Sequence, residues 1–396
     1  MRYLRLYDLS PGMVLARTIW GPSGEVLLAR GAVLTAATIA ALHRREVSAV
    51  WVKDGTGDDE DPAELVSDQL RAAAAKQVQD LFHAVSRGAS GRVVREAAKR
   101  LLNVAESIVE EVLSAPVAAE LVAIKTHDAY TLQHSVEVAA ACVLLGLQIG
   151  ASRSSLRELA LGGLLHDLGK VRIPAEVLNK TGPLTTEEWE LVKQHPTWGF
   201  EIISAMDLEE VTPKHIAWQH HERQDGKGYP RGLRGTNRVA RDHAEFLAGN
   251  RIALCAEICA VADVYCAMRS DRPYRPAMPP EEAVAALREA AGSQLNRELV
   301  NLFLRTVPVF PPGITVRLYS GQFNGYFARV VRCSRASPDK PVIRLLYDPD
   351  GNPCQPLEID LARSPAEIRS WLTPPTVATR QVHQTLQGTA HRPEPT

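Results

Sequence analysis

Between Glu120 and Thr306 apolar residues recur at helical spacing, and set among them, from His127 to His221, are seven of the chain's twelve histidines. Acidic side chains gather in the same stretch. Imidazoles and carboxylates are costly beside buried apolar surface unless they are paired or hold a metal. The pattern therefore predicts an all-α block that draws these groups into one place, and their density points to a metal site. The six cysteines, Cys142, Cys255, Cys259, Cys266, Cys333 and Cys354, form no CxxC pair and no dense framework. A zinc finger and a disulfide scaffold are thereby set aside, and the thiols read as reduced.

With 45 basic and 46 acidic residues the net charge is −1, so bulk charge favours neither a nucleic-acid polymer nor a membrane surface as partner. Phosphate binding must come from a local pocket. No apolar run reaches the roughly 20 residues of a membrane helix, and the first residues lack the apolar stretch of a signal peptide. The expected location is cytoplasmic.

The 396 residues suit two or three domains. Residues 1–56 alternate short apolar runs with turn signals and end on Val47 to Val52, as a small β-rich accessory module does. Residues 57–119 read as an acidic linker, Asp54 to Asp61, running into a connector of two amphipathic helices broken at Gly88-Ala89-Ser90-Gly91. Residues 120–310 are the helical, catalytic block. After Pro311-Pro312-Gly313 the pattern alternates through residues 311–373 as a small β appendage with a turn at Asp350-Gly351. Residues 374–396 are too polar to pack and are expected to be disordered. The fold class is mainly α, with small β-rich modules at both ends.

Within the central block LGGLLHDLGK delivers adjacent ligand-type residues, His166 and Asp167, at the end of an apolar helix. Neighbours on a helix point about 100° apart and can clasp a centre from two sides. His134 lies on the preceding helix. His195 precedes Pro196, which disfavours helical geometry at the histidine and leaves it near a helix end. His220 and His221 close a third segment, and Asp263 sits in AEICAVADVYCAM, where an unpaired carboxylate would be expensive. Five histidines and two aspartates exceed what one ion needs if it must also bind water, so two metals are implied. Imidazole and carboxylate without thiolate favour iron or manganese, with zinc an alternative, over calcium.

These residues resemble the HD-GYP phosphodiesterases of bacterial second-messenger signalling. The likeness rests on DAYTLQHS (128–135), HDLGK (166–170), HHERQDGKGYP (220–230) and SDRPYRP (270–276), and covers about half of the chain. The resemblance implies that His134, His166, Asp167, His195, His220, His221 and Asp263 hold the metals. Tyr130 stands where some members carry a glutamate for a third metal, so a dinuclear centre is expected. It also implies cyclic di-GMP as substrate, cut to pGpG and in some members on to GMP. Cys266 and the long stretch 234–255, which includes His243, depart from the usual pattern without removing a ligand.

Two cations bridged by Asp167 would hold a bridging hydroxide as the nucleophile. Lys170, Arg272 and Arg275 are the expected phosphate partners, and Gly228, Tyr229 and Pro230 the loop against the substrate. The competing readings are a weakly active scaffold that docks signalling partners through that loop or the N-terminal module, and a phosphohydrolase of another nucleotide. The intact ligands, Lys170 and both arginines favour the diesterase. A homodimer is compatible with the sequence.

Overall fold

A computed structural model describes residues 2–21, 25–45, 47, 49–53, 65–115, 130–180, 182–240, 250–270, 278–334 and 337–370. In the N-terminal module β1 (Arg2–Arg5) pairs antiparallel with β4 (Ala49–Val52), and β2 (Ile19–Trp20) with β3 (Val26–Leu28). The module also contains a helix, α1 (Ala36–Arg44), begun by a Thr35–Thr38 capping box that satisfies two backbone donors. Leu4, Leu15, Leu34, Leu42 and Val50 form its own small core.

The main core starts earlier than residue 120. In α2 (Asp68–Ser86) and α3 (Gly91–Ser114) the apolar positions fall every three or four residues, as at Ala97, Leu101, Ala105, Ile108 and Val112, so one stripe of each helix is buried. The Ser67 side chain accepts from Leu70 N at the start of α2 and donates to Glu111 near the end of α3. These stripes belong to the same apolar cluster as α4 (Tyr130–Gln148), α5 (Arg153–Leu165) and the later helices, so the expected connector is built into the body of the central block.

Beyond α5 come α6 (Ala175–Leu178), α7 (Thr186–Val192), α8 (His195–Ala205), α9 (Thr212–Gln219), α10 (Leu254–Met268), α11 (Pro280–Ala290) and α12 (Arg297–Thr306). Helix α10 is buried on nearly every side and runs through the core. Its Glu257 is met by Gln224 Nε2 and Asn296 Nδ2, each at 2.8 Å, which offsets the cost of burying that charge.

Two glycines set how closely the site-bearing elements approach. A Cβ on Gly163 in α5 would stand 2.6 Å from Ala139 Cα in α4, so only glycine lets these helices touch backbone to backbone. At Gly169 a Cβ would meet the His195 carbonyl oxygen within van der Waals contact, which seats the start of α8 directly on the turn after Asp167.

At the C-terminus five antiparallel strands lie in the order β8-β7-β6-β5-β9: β5 (Thr315–Leu318), β6 (Phe327–Ser334), β7 (Ser337–Tyr347), β8 (Glu358–Asp360) and β9 (Ile368–Ser370). Val316, Leu318, Ala328, Val330, Ile343 and Leu345 alternate inward and pack with Val309 and Phe310. Gly351, with φ +83°, occupies the turn after β7. All six cysteines are free, and among the described residues no helix is long and apolar enough to cross a membrane.

Candidate metal centre

The seven predicted ligand residues come from five helices and meet in one place. His134 comes from α4. His166 ends α5 and is followed by Asp167; His195 opens α8; His220 ends α9 and His221 follows; Asp263 projects from the middle of α10. His195 begins its helix, and Pro196 stands in the first turn, where its missing N–H leaves no intrahelical bond unmade.

Asp167 is shared between two groups of ligand atoms. It stands with His195, His220 and His221 in one and with His134 and His166 in the other, each group lying within 4.8 Å. Its Oδ1 is 3.4 Å from His195 Nε2 and 3.8 Å from His220 Nε2, and its Oδ2 is 3.3 Å from His166 Nε2. Asp263 joins through His134, 2.9 Å from Nε2, and its Oδ1 is 3.9 Å from His166 Nε2. Lys170 Nζ donates to Asp167 Oδ2 at 2.5 Å.

The backbone orients three of the rings. His166 Nδ1 lies 2.8 Å from Gly163 O, His195 Nδ1 2.7 Å from Val192 O, and His220 Nδ1 3.1 Å from both Ile216 O and Ala217 O. A carbonyl only accepts, so the proton is on Nδ1, and in the neutral ring Nε2 turns a lone pair into the cluster. His195 Nε2 and His220 Nε2 are 3.4 Å apart, a distance at which two lone pairs repel unless positive charge lies beside them. His166 Nε2 is buried and makes no hydrogen bond. This donor set fits divalent cations.

The electrostatics agree with that fit. Burial, the largest influence, pushes His195 down to about 3 and His220 to about 4, and it holds His221 well below the ordinary imidazole value, so these rings are neutral and able to coordinate. At His166 burial also lowers the value, but Asp167 and Asp263 outweigh it and lift the ring to about 9. The carboxylates that attract that proton are the ones that would attract a metal cation. Burial works to raise Asp167; Lys170, then His166 and His195, overcome it and keep the carboxyl well below its usual range. Asp263 is likewise held down by His134 against the effect of burial.

Tyr229 stacks on His221, with ring centres 4.7 Å apart and planes at 26°. Its phenol is pushed up by burial, then by Asp167 and Asp263, and stays protonated. A Cβ on Gly228 would stand 2.5 Å from His221 O and from Arg223 N, so the loop closes over the ligand pair only with glycine there. Pro230 follows, half-buried. A cleft of about 460 Å³ lies alongside, lined by His220, His221, Tyr229, Trp189 and Lys193 among others. Arg272 and Arg275 lie outside the described residues, as do His243 and residues 241–249.

Sequence reasoning did not single out three further side chains. Glu222 accepts from Arg231 N and Leu233 N, both at 2.8 Å, and so braces the loop after the ligand pair. Glu257 is a second carboxylate in the apolar helix of Asp263, and the same desolvation argument would have found it. Trp189 carried no signal, since one aromatic residue in a charged helix is unremarkable until its neighbours are known.

Residues 116–237 match the HD domain family model. The chain is 38% identical over 204 residues to a cyclic di-GMP phosphodiesterase of Pseudomonas aeruginosa, covering 51% of this chain and 45% of that protein. It is 36% identical over 179 residues to a cyclic di-GMP phosphodiesterase of Thermotoga maritima, covering 45% of each. Against a 3'3'-cGAMP-specific phosphodiesterase of Vibrio cholerae the identity is 34%, over 50% of this chain and 42% of the relative. The chain thus spans less than half the length of these curated relatives. Among solved structures, an HD-GYP protein from Bdellovibrio bacteriovorus aligns with 76% of this chain and 97% of its own, at 16% identity and a TM-score of 0.47. The matched stretch holds every predicted ligand residue except Asp263. In the motif HHERQDGKGYP and in these relatives the central block is similar to the HD-GYP phosphodiesterases.

Proposed function

We propose that this chain is a metal-dependent phosphodiesterase that hydrolyses a cyclic dinucleotide, with cyclic di-GMP the first substrate to test. The observation that carries the reading is Asp167, one carboxylate shared by two buried ligand groups and touched by Lys170, beside a cleft large enough for a nucleotide. The site-residue roles below are part of the proposal.

His134, His166, Asp167, His195, His220, His221 and Asp263 would hold two divalent cations, with iron or manganese favoured by a donor set of imidazole and carboxylate and zinc an alternative. When bound, such cations make water nucleophilic at neutral pH and withdraw charge from phosphoryl oxygens. The protein's own part is orientation and charge. Carbonyl partners fix the rings, Lys170 offers an ammonium to the phosphoryl oxygens next to Asp167, and Gly228, Tyr229 and Pro230 shape the wall that the substrate meets. Arg272 and Arg275 would add phosphate contacts.

Relatives named for cyclic di-GMP and for 3'3'-cGAMP both match about half of this chain, so the two cyclic dinucleotides belong in one assay. Protein reconstituted anaerobically with Fe(II) or Mn(II) should convert cyclic di-GMP to pGpG or GMP, followed by chromatography. The double substitution His166→Ala, Asp167→Ala should lose both metal and turnover. Product formation by that variant, or none from metal-loaded wild type with either dinucleotide, would overturn the reading.

A further inference from the structure

Trp189 is the only tryptophan among the exposed large apolar side chains of the described residues, 45% accessible on the seven-residue helix α7. A single exposed apolar residue needs no explanation by itself. This one has a position that does. Its ring meets Tyr229 edge-on, with centres 6.1 Å apart and planes at 80°, while Tyr229 lies flat on the predicted ligand His221. Trp189, Tyr229 and His221 therefore step outward from the ligand cluster along the wall of the 460 Å³ cleft, and Lys193, which caps α7, lines the same wall.

From the shape of that wall we infer that Trp189 is the base-stacking residue of the substrate cleft, taking a purine of the cyclic dinucleotide on its indole face while the phosphodiester lies at the His/Asp cluster. This deepens the proposed diesterase function and rests on it. A diester held at the cluster must carry its base outward across a ribose, and Trp189 is the next ring beyond Tyr229 along the cleft wall. Beside its steep contact with Tyr229, Trp189 keeps 45% of its surface accessible where it lines the cleft, and a planar base stacks on an aromatic face whatever its hydrogen-bonding edge. The position thus selects purines over ring-free phosphates without choosing guanine over adenine.

The test measures binding of cyclic di-GMP and, separately, of inorganic phosphate to Mn(II)-loaded full-length protein by calorimetry, with tryptophan emission recorded. Trp189→Ala should weaken cyclic di-GMP binding about 10- to 100-fold and leave phosphate binding unchanged. Trp189→Phe should retain most of the affinity but lose the emission quench that a stacked purine produces. Unchanged cyclic di-GMP affinity in Trp189→Ala, equal loss for phosphate, or no binding by wild type would overturn the inference. Wild type that binds through Trp189 yet hydrolyses neither cyclic dinucleotide keeps the inference and sinks the phosphodiesterase reading.

Discussion

At the scale of single residues, the cluster is governed by what burial does to imidazole. A histidine held below its unfolded value refuses protons that the unfolded chain accepts. As pH falls from about 6.5 towards 4, His195 and His220 therefore cost the folded state stability. His166 has the opposite sign: its raised value contributes stability that is complete below about 6.5 and is lost as pH climbs through about 9. Chelator-treated protein melted across this range should be less stable at both ends than near neutrality. A melting temperature that keeps rising down to pH 4 would contradict the neutral-ring assignment. Lys170 invites a simpler test. Lys170→Ala should lower kcat by roughly 100- to 1000-fold while metal content stays at the wild-type level, as plasma emission analysis can establish. Loss of metal in that variant would make the lysine a support for Asp167 instead.

At the scale of elements, the site depends on backbones that approach more closely than side chains allow. Gly163→Ala would press a methyl into Ala139 and push α4, with His134, away from α5, with His166. Overpacking of this kind costs about 1–3 kcal/mol, so the melting temperature should drop by several degrees, about 2–4 °C per kcal/mol in a block this size. Metal affinity should fall with it; an unshifted melt and full metal content would show that the helices have room. Such contacts explain which parts of the molecule were legible in the sequence. The gathering of His134, His166, Asp167, His195, His220, His221 and Asp263 was, because histidine and aspartate beside apolar helical runs are costly without partners. So were the strands after Pro311-Pro312-Gly313, which alternate with period two. Helix α1 was not, since Gly31 and the short apolar runs around it read equally as turns and strands. Nor was Trp189, whose setting depends on Tyr229, forty residues away in the chain. Pro196 rightly placed His195 at a helix end, the beginning of α8, although the histidine itself is the first helical residue.

At the scale of the whole molecule, the packing of α2 and α3 moves the proposed boundary of the central block toward the N-terminus. Leu81, Leu101 and Ile108 are fully buried in the same cluster as Leu161, Leu164 and Leu165. A chain starting at Leu65 should therefore fold and bind metal as the full protein does. One starting at Glu120 should not fold, because several buried side chains worth about 2–5 kcal/mol each exceed a usual total of 5–15 kcal/mol. Circular dichroism melts separate the two, and a cooperative transition in the shorter chain would restore a boundary near residue 120. The arrangement of helix ends carries a consequence that no side-chain substitution can remove. Helices α5 and α9 finish at the cluster, and α8 starts there. Each terminus carries roughly half a unit of charge, negative where a helix finishes and positive where it starts. The peptide dipoles thus leave a small negative balance beside one positive mouth, an arrangement already polarised for a cation and an anion held side by side.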